Sequence, residues 1–184
     1  TFMADGGRYR QRRYATFALE GGTITPRPAE PHYQSLSYNP LNGGIARHFE
    51  PFAPEAAAHP CLLALLRDAG ALFAPGARWF VEAHQFRILA GSENAGLPTP
   101  EGLHRDGVDR VLVQLVARRN VAGGVTRITD LEGRTLDRTT LTVPGDLYLL
   151  DDRRVMHEVS PVRPEDPARP GWRDVLVVTF RRRD

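Results

Sequence analysis

The stretch Pro100-Glu101-Gly102-Leu103-His104-Arg105-Asp106-Gly107-Val108-Asp109-Arg110-Val111-Leu112-Val113-Gln114-Leu115-Val116-Ala117 places an imidazole and a carboxylate two residues apart at the mouth of a strand. Side chains alternate faces along extended backbone, so His104 and Asp106 project to one side and can share a metal ion. Val111, Val113, Leu115 and Ala117 alternate with Leu112, Gln114 and Val116, which predicts a central strand apolar on both faces and buried between two layers. A His-x-Asp pair by itself is a common spacing. Its weight comes from the strand behind it and from His157, far downstream in a second strand-like segment, Val155 to Val159. Two His and one carboxylate on one face, with other positions open, is the donor set of non-haem Fe(II) oxygenases. His157 taken alone would read as a hydrogen-bonded core imidazole, because Val155 and Val159 share its face; the paired upstream ligands favour the metal.

On either side of this stretch the chain is cut into short strands by turns. Downstream, turns at Asn120 to Gly124, Leu131 to Arg134 and Pro144-Gly145-Asp146 separate Val125 to Thr129, Thr135 to Val143, Leu147 to Leu150 and the His157 strand. A Pro-rich loop from Pro161 to Pro170 then leads into Trp172 to Arg181. Upstream, Trp79 to Ala90 sets Glu82, His84, Phe86 and Ile88 on one face and Ala83, Gln85, Arg87 and Leu89 on the other. About eight short strands at this spacing predict a mainly β fold, a double-stranded β-helix of jelly-roll or cupin type. Such a barrel brings the strand of His104 and Asp106 beside that of His157.

The N-terminal part reads as an addition to that barrel. Arg8 to Leu19 and Thr23-Ile24-Thr25, with turns at Asp5-Gly6-Gly7 and Gly21-Gly22, predict a hairpin. Its Arg8, Arg10, Arg12 and Arg13 could serve an anionic ligand, but a solvated strand face is the preferred reading. Pro26 to Pro54 is covering loop with short strands, and Ala56 to Phe73 contains a helix with Leu62, Leu63, Leu65, Leu66 and Ala69 on an apolar stripe, Pro60 at a first turn and Gly70 near its end. The expected organisation is one domain over residues 1–184, with a covering region of about 1–75, one or two flanking helices, and a barrel core of about 78–184.

Composition limits the partners. With 41% hydrophobic and 25% charged residues the chain is ordinary for a globular domain, and no apolar run suggests a membrane span. All 24 basic residues are Arg, interspersed with 22 acids for a net charge of +2, which argues against a nucleic-acid footprint despite the high Arg count. The single Cys61 allows no internal disulfide and no secretory signal is visible, so a cytoplasmic location is expected. The expected partner is a small molecule, and the sequence is silent on oligomeric state.

Arg173 opens the last strand on the parity of Val175, Val177 and Thr179. If that face is inward, its buried guanidinium requires an anion, and its fork matches a carboxylate. Asp174 points the other way. The anion is then either a small dicarboxylic cosubstrate or another acid of the barrel, such as Asp146 or Asp152.

Taken together, Asp5-Gly6-Gly7-Arg8-Tyr9-Arg10, Tyr38-Asn39-Pro40-Leu41, His84-Gln85-Phe86-Arg87, Pro100 to Gly107, Gly123-Gly124, Asp151 to His157 and Arg173-Asp174-Val175-Leu176 resemble the bacterial 2-oxoglutarate and Fe(II)-dependent dioxygenases that include free amino-acid hydroxylases such as L-isoleucine dioxygenase. The resemblance implies Fe(II) on His104, Asp106 and His157, the distal carboxylate of 2-oxoglutarate on Arg173, and O2-dependent hydroxylation of a free amino acid or derivative with release of succinate and carbon dioxide. Val175 stands where many members place Ser, so a second donor to that carboxylate has to come from elsewhere. Gln85 and Arg87 resemble family positions that contact substrate or cosubstrate, with core or surface pairing equally open. Two other readings compete: a cupin-like metalloenzyme that uses no 2-oxoglutarate, and a non-catalytic β-sandwich binding protein with His104 and His157 in its core. Hydroxylation of a protein or nucleic acid is a further option.

Overall fold

Alternation of inward and outward side chains persists along the long strands, and it is what stacks them into antiparallel sheets. The computed structural model describes residues 9–28, 30–39, 41 and 43–183; the Asp5-Gly6-Gly7 turn and Arg8 lie outside them. In chain order the elements are β1 (Arg10–Glu20), β2 (Thr23–Pro26), α1 (Pro54–Ala57), α2 (Pro60–Phe73), β3 (Arg78–Ala90), β4 (Arg110–Arg119), β5 (Ala122–Gly123), β6 (Val125–Asp130), β7 (Thr135–Thr140), β8 (Leu147–Asp151), β9 (Val155–Val159), β10 (Val162–Arg163) and β11 (Gly171–Arg183). A six-stranded sheet runs β2-β1-β3-β11-β4-β8, a three-stranded sheet runs β7-β6-β9, and β5 pairs with β10. This is the mainly β architecture that the turn spacing predicted.

The two faces of the large sheet carry different chemistry. On the outer face, Phe17, Val81, Leu112, Val178 and Phe180 pack against Leu66 and Ala69 of α2. On the inner face, Val111, Val113, Leu115 and Val175 pack against Ile128 of the small sheet. Fully burying a side chain of this size stabilises by about 1.5–3 kcal/mol, so these two clusters fix which parity of each strand is inward. In β3 the inward residues are Glu82, His84, Phe86 and Ile88, and in β11 they are Arg173, Val175, Val177 and Thr179, paired antiparallel with Arg173 opposite Ile88.

Two local expectations change. The hairpin strand β1 is not a peripheral cover: it pairs with β3 from Arg10–Ile88 to Leu19–Trp79 and belongs to the sheet itself. Arg10 and Arg12 are consequently buried rather than solvated, on the inner side with Tyr14 and Thr16. The helix keeps its expected start: α2 begins at Pro60, whose ring suits a first turn and whose missing N–H separates it from the short α1, which ends before Ala58. Although the interval Pro54–Phe73 is apolar, α2 spans only about 21 Å at 1.5 Å per residue, short of a hydrocarbon core. Finally, β4 is buried on both faces only in its first half, and Val116 is exposed.

Candidate active site

One backbone bridge assembles the site. His104 N–H donates to His157 O at 3.1 Å and His157 N–H to His104 O at 2.9 Å, which lays the segment before β4 against β9 and brings the two rings to a centroid distance of 4.5 Å. Asp106 points to the same side, its Oδ2 3.8 Å from His157 Nε2. Donor atoms of His104, Asp106 and His157 all fall within 4.8 Å of one another. The first two candidate ligands thus lie in the loop feeding β4 rather than on the strand. In that loop Gly107 takes φ +76°, and a Cβ there would collide with the Tyr38 ring, so only glycine lets the 33–39 segment close over the turn.

The side chain that shapes this loop is Asp152, at the end of β8. Its Oδ1 accepts from Asp106 N–H at 2.9 Å, and its Oδ2 accepts from Gly107 N–H at 2.8 Å and Val108 N–H at 3.0 Å. Charge-assisted bonds of this kind are the strong class, and three of them converging on one buried carboxylate fix the backbone beside Asp106. In the sequence Asp152 is one of two acids considered as partners of Arg173, and nothing local marks it as a loop brace.

The donor set fits a divalent metal. His104 Nδ1 lies 2.9 Å from Gly102 O, which accepts its proton and leaves the Nε2 lone pair available. Burial, reinforced by neighbouring His104, lowers the pKa of His157 to about 3, so it is a neutral imidazole near pH 7. Asp106 Oδ2 and His157 Nδ1 are buried and have no hydrogen-bond partner among the described residues. Buried polar atoms are nearly always satisfied, and a bound cation would satisfy a carboxylate oxygen set among imidazoles.

The cluster opens into a cavity of about 100 Å³ that Arg173 also lines. Arg173 is only 1% exposed, and its Nε and Nη2 have no partner among the described residues. Burial, then the charge of Arg118, lowers its pKa to about 10, which leaves it charged at pH 7. Neither internal acid suggested for it is available: Asp152 braces the metal-side loop, and Asp146 Oδ2 accepts from Thr142 and Val143 N–H. Asp174, as its parity required, faces outward.

That outward face holds Gln85 and Arg87 as well, so the structure does not bring them to the site. Arg87 Nε and Nη2 donate to the two Asp174 oxygens at 2.8 and 2.6 Å, and its guanidinium lies 4.7 Å from the Trp172 ring centroid. Gln85 lines the same outer groove. The inward residues of β3 are instead part of a polar network absent from the sequence reading. Arg12 Nη2 and Nε lie 2.7 and 3.3 Å from His84 Nδ1. Glu82 accepts from Tyr14 Oη at 2.6 Å and from His32 Nδ1 at 2.9 Å. Burial would raise the Glu82 carboxyl, yet the hydrogen bonds from His32 and Tyr14 bring it down to about 2. His32 and His84 are both lowered, first by burial, and stay neutral at pH 7.

The 2OG-Fe dioxygenase family model matches residues 1–179. The chain belongs to that family. This dioxygenase is therefore an Fe(II)- and 2-oxoglutarate-dependent enzyme that uses O2, which decides against both the cupin-like enzyme without 2-oxoglutarate and the non-catalytic binding protein. Among curated proteins it is similar to the 3(1)-hydroxy-L-isoleucine 4-dioxygenase of Pantoea ananatis, with 28% identity over 173 residues, 90% of this chain and 69% of the relative. Among solved structures, a bsmA homologue from Methylobium petroleophilum PM1 is 43% identical with a TM-score of 0.88, covering 98% of this chain and 74% of that one. The structure of IDO from Bacillus thuringiensis shares the fold at 21% identity and a TM-score of 0.81, over 99% of this chain and 81% of that one.

Proposed function

We propose that His104, Asp106 and His157 hold the Fe(II) of this dioxygenase, that Arg173 receives the distal carboxylate of 2-oxoglutarate, and that the molecule hydroxylated is a free amino acid or a close derivative. The observation that carries the reading is a buried, unpaired Arg173 fork lining the same cavity as the three-residue donor cluster. Leaving a guanidinium in the interior without a counter-anion is costly, so its conservation of charge at pH 7 argues for an anionic ligand. The hydroxylated-isoleucine activity in the name of the Pantoea relative supports an amino-acid substrate. A single exposed Cys61 is compatible with the proposed cytoplasmic location.

When bound, iron and 2-oxoglutarate supply the oxidising chemistry, converting 2-oxoglutarate and O2 to succinate and carbon dioxide while one oxygen atom is placed on the substrate. This chain's own residues orient and exclude. The His104–His157 bridge and the Asp152 brace hold the donors in place before any ligand arrives, so little ordering is left to be done on binding. The Arg173 fork fixes the cosubstrate at its far end. Val113, Val175 and Val177 make the intervening wall apolar and keep water from the reacting centre.

A succinate-release assay with Fe(II), 2-oxoglutarate and a panel of free amino acids tests the activity. Metal analysis of His104→Ala, Asp106→Ala and His157→Ala tests the ligands: each variant should fold, lose stoichiometric Fe(II) and lose turnover. Parental iron content in all three would refute the assignment.

A further inference from the structure

Arg12 is a second buried guanidinium in this cavity, and the roles proposed above do not use it. It is 6% exposed. Its hydrogen bonds go to the neutral ring of His84, it lies over aromatic faces, Phe49 at 3.8 Å and Phe86 at 5.0 Å from the ring centroids, and the like charges of Arg47 and Arg10 act on it from the same cavity wall. No described carboxylate pairs with it. Glu82, the buried acid at this end, is taken by Tyr14, His32 and Thr179, with Arg181 3.6 Å from its Oε2. Because His84 Nδ1 accepts from Arg12, the proton of this neutral ring sits on Nε2, and no described residue accepts from that N–H. The cavity wall therefore presents a guanidinium and an imidazole N–H with nothing anionic between them.

Arg12 and Arg173 reach different levels of β3. Arg173 lies opposite Ile88; Arg12 lies opposite Phe86, and its guanidinium reaches on to His84, so the β3 positions that the two mark are four residues apart, roughly 13 Å at about 3.3 Å per residue. The wall between them is apolar, with Val175 opposite Phe86 and Val177 opposite His84. A single small dicarboxylate held at Arg173 and at the metal cannot also neutralise Arg12, so the cavity is built for two anions with apolar surface between.

We propose that Arg12, together with the Nε2–H of His84, is the subsite that receives the carboxylate of the substrate to be hydroxylated, a short organic acid with an apolar chain that lies along Phe86 and the β11 valines. The inference rests on the reading of this cavity as the dioxygenase site and names the specificity-determining residue within it. It separates charge recognition of the two ligands: Arg173 reads the cosubstrate and Arg12 reads the substrate. A neutral analogue lacking the carboxylate leaves Arg12 unpaired and is rejected.

The experiment is anaerobic calorimetry on protein loaded with Fe(II) and 2-oxoglutarate, titrated with aliphatic L-amino acids and with their primary amides. At least one acid should bind, with its amide at least ten-fold weaker. Arg12→Gln should weaken the acid by about ten- to a hundred-fold, leave the amide unchanged, and leave iron content and 2-oxoglutarate affinity at parental values. Arg12→Lys, which keeps the charge and loses the fork, should fall between, and carries the comparison if Arg12→Gln does not fold. Equal weakening of acid and amide, no discrimination by the parental protein, or no binding of any acid despite parental 2-oxoglutarate binding would overturn the subsite. A parental protein that binds no 2-oxoglutarate would overturn the site reading itself and the subsite with it.

Discussion

Replacing Arg173 by Met should make the ligand-free protein more stable and the ligand-bound protein less so. The guanidinium is 1% exposed with Nε and Nη2 unpaired among the described residues, next to the like charge of Arg118. Methionine fills a similar shape without a charge to desolvate, and exchanges of this kind stabilise by about 1–4 kcal/mol. For a chain of this size each kcal/mol raises Tm by about 2–4 °C, so the ligand-free variant should melt measurably above the parent. 2-Oxoglutarate at a hundred times its Kd adds about 2.7 kcal/mol to the parent; if Arg173→Met weakens binding about a hundred-fold, the same concentration adds only about 0.4 kcal/mol. The assay is thermal unfolding of metal-loaded parent and variant across a 2-oxoglutarate titration. A lower Tm for the ligand-free variant would mean that the charge is already compensated inside the protein. A surviving ligand-induced shift would mean that the distal carboxylate binds elsewhere.

Asp152→Ala leaves three backbone N–H groups beside Asp106 without their acceptor and should cost about 2–4 kcal/mol of stability while weakening Fe(II) binding; chemical denaturation and metal titration check both, and Asp152→Asn, which keeps one acceptor oxygen, should recover part of each. The folded pKa of Glu82, about 2, lies below its ordinary value of 4.5, so its stabilisation is complete above the upper value and is lost as pH falls toward the lower, amounting to about 3 kcal/mol. Glu82→Gln should therefore flatten the acid limb of a stability-versus-pH curve measured by urea unfolding. Gln85→Ala and Arg87→Ala, on the outer face, should leave 2-oxoglutarate affinity unchanged, and loss of the half-exposed Arg87–Asp174 pair should cost no more than about 1 kcal/mol; a loss of 2-oxoglutarate affinity in either variant would refute their outward placement.

Much of this protein was legible as sequence because strand periodicity is local. The parity of Val111, Val113 and Leu115 gave a buried strand, that of Val175, Val177 and Thr179 turned Arg173 inward and Asp174 outward, and turn residues at regular spacing gave the mainly β class. His104, Asp106 and His157, whose donor atoms the structure brings within 4.8 Å of one another, stand out in the sequence as a candidate donor set because ligand chemistry restricts residue type. What the chain could not state is which strand lies beside which. Four arginines near the start read equally well as a wet face until β1 is seen paired along β3, when Arg10 and Arg12 become interior. Gln85 and Arg87 differ from His84 and Phe86 only in parity, and the choice of inner face was made by α2 packing on Val81 and Ala83. Asp152 became the brace of the metal-side loop only when β8 and the segment before β4 met in space. Partner choice among strands is a non-local free-energy difference, spread over two cores and every ladder between them, and only the tertiary structure decides it.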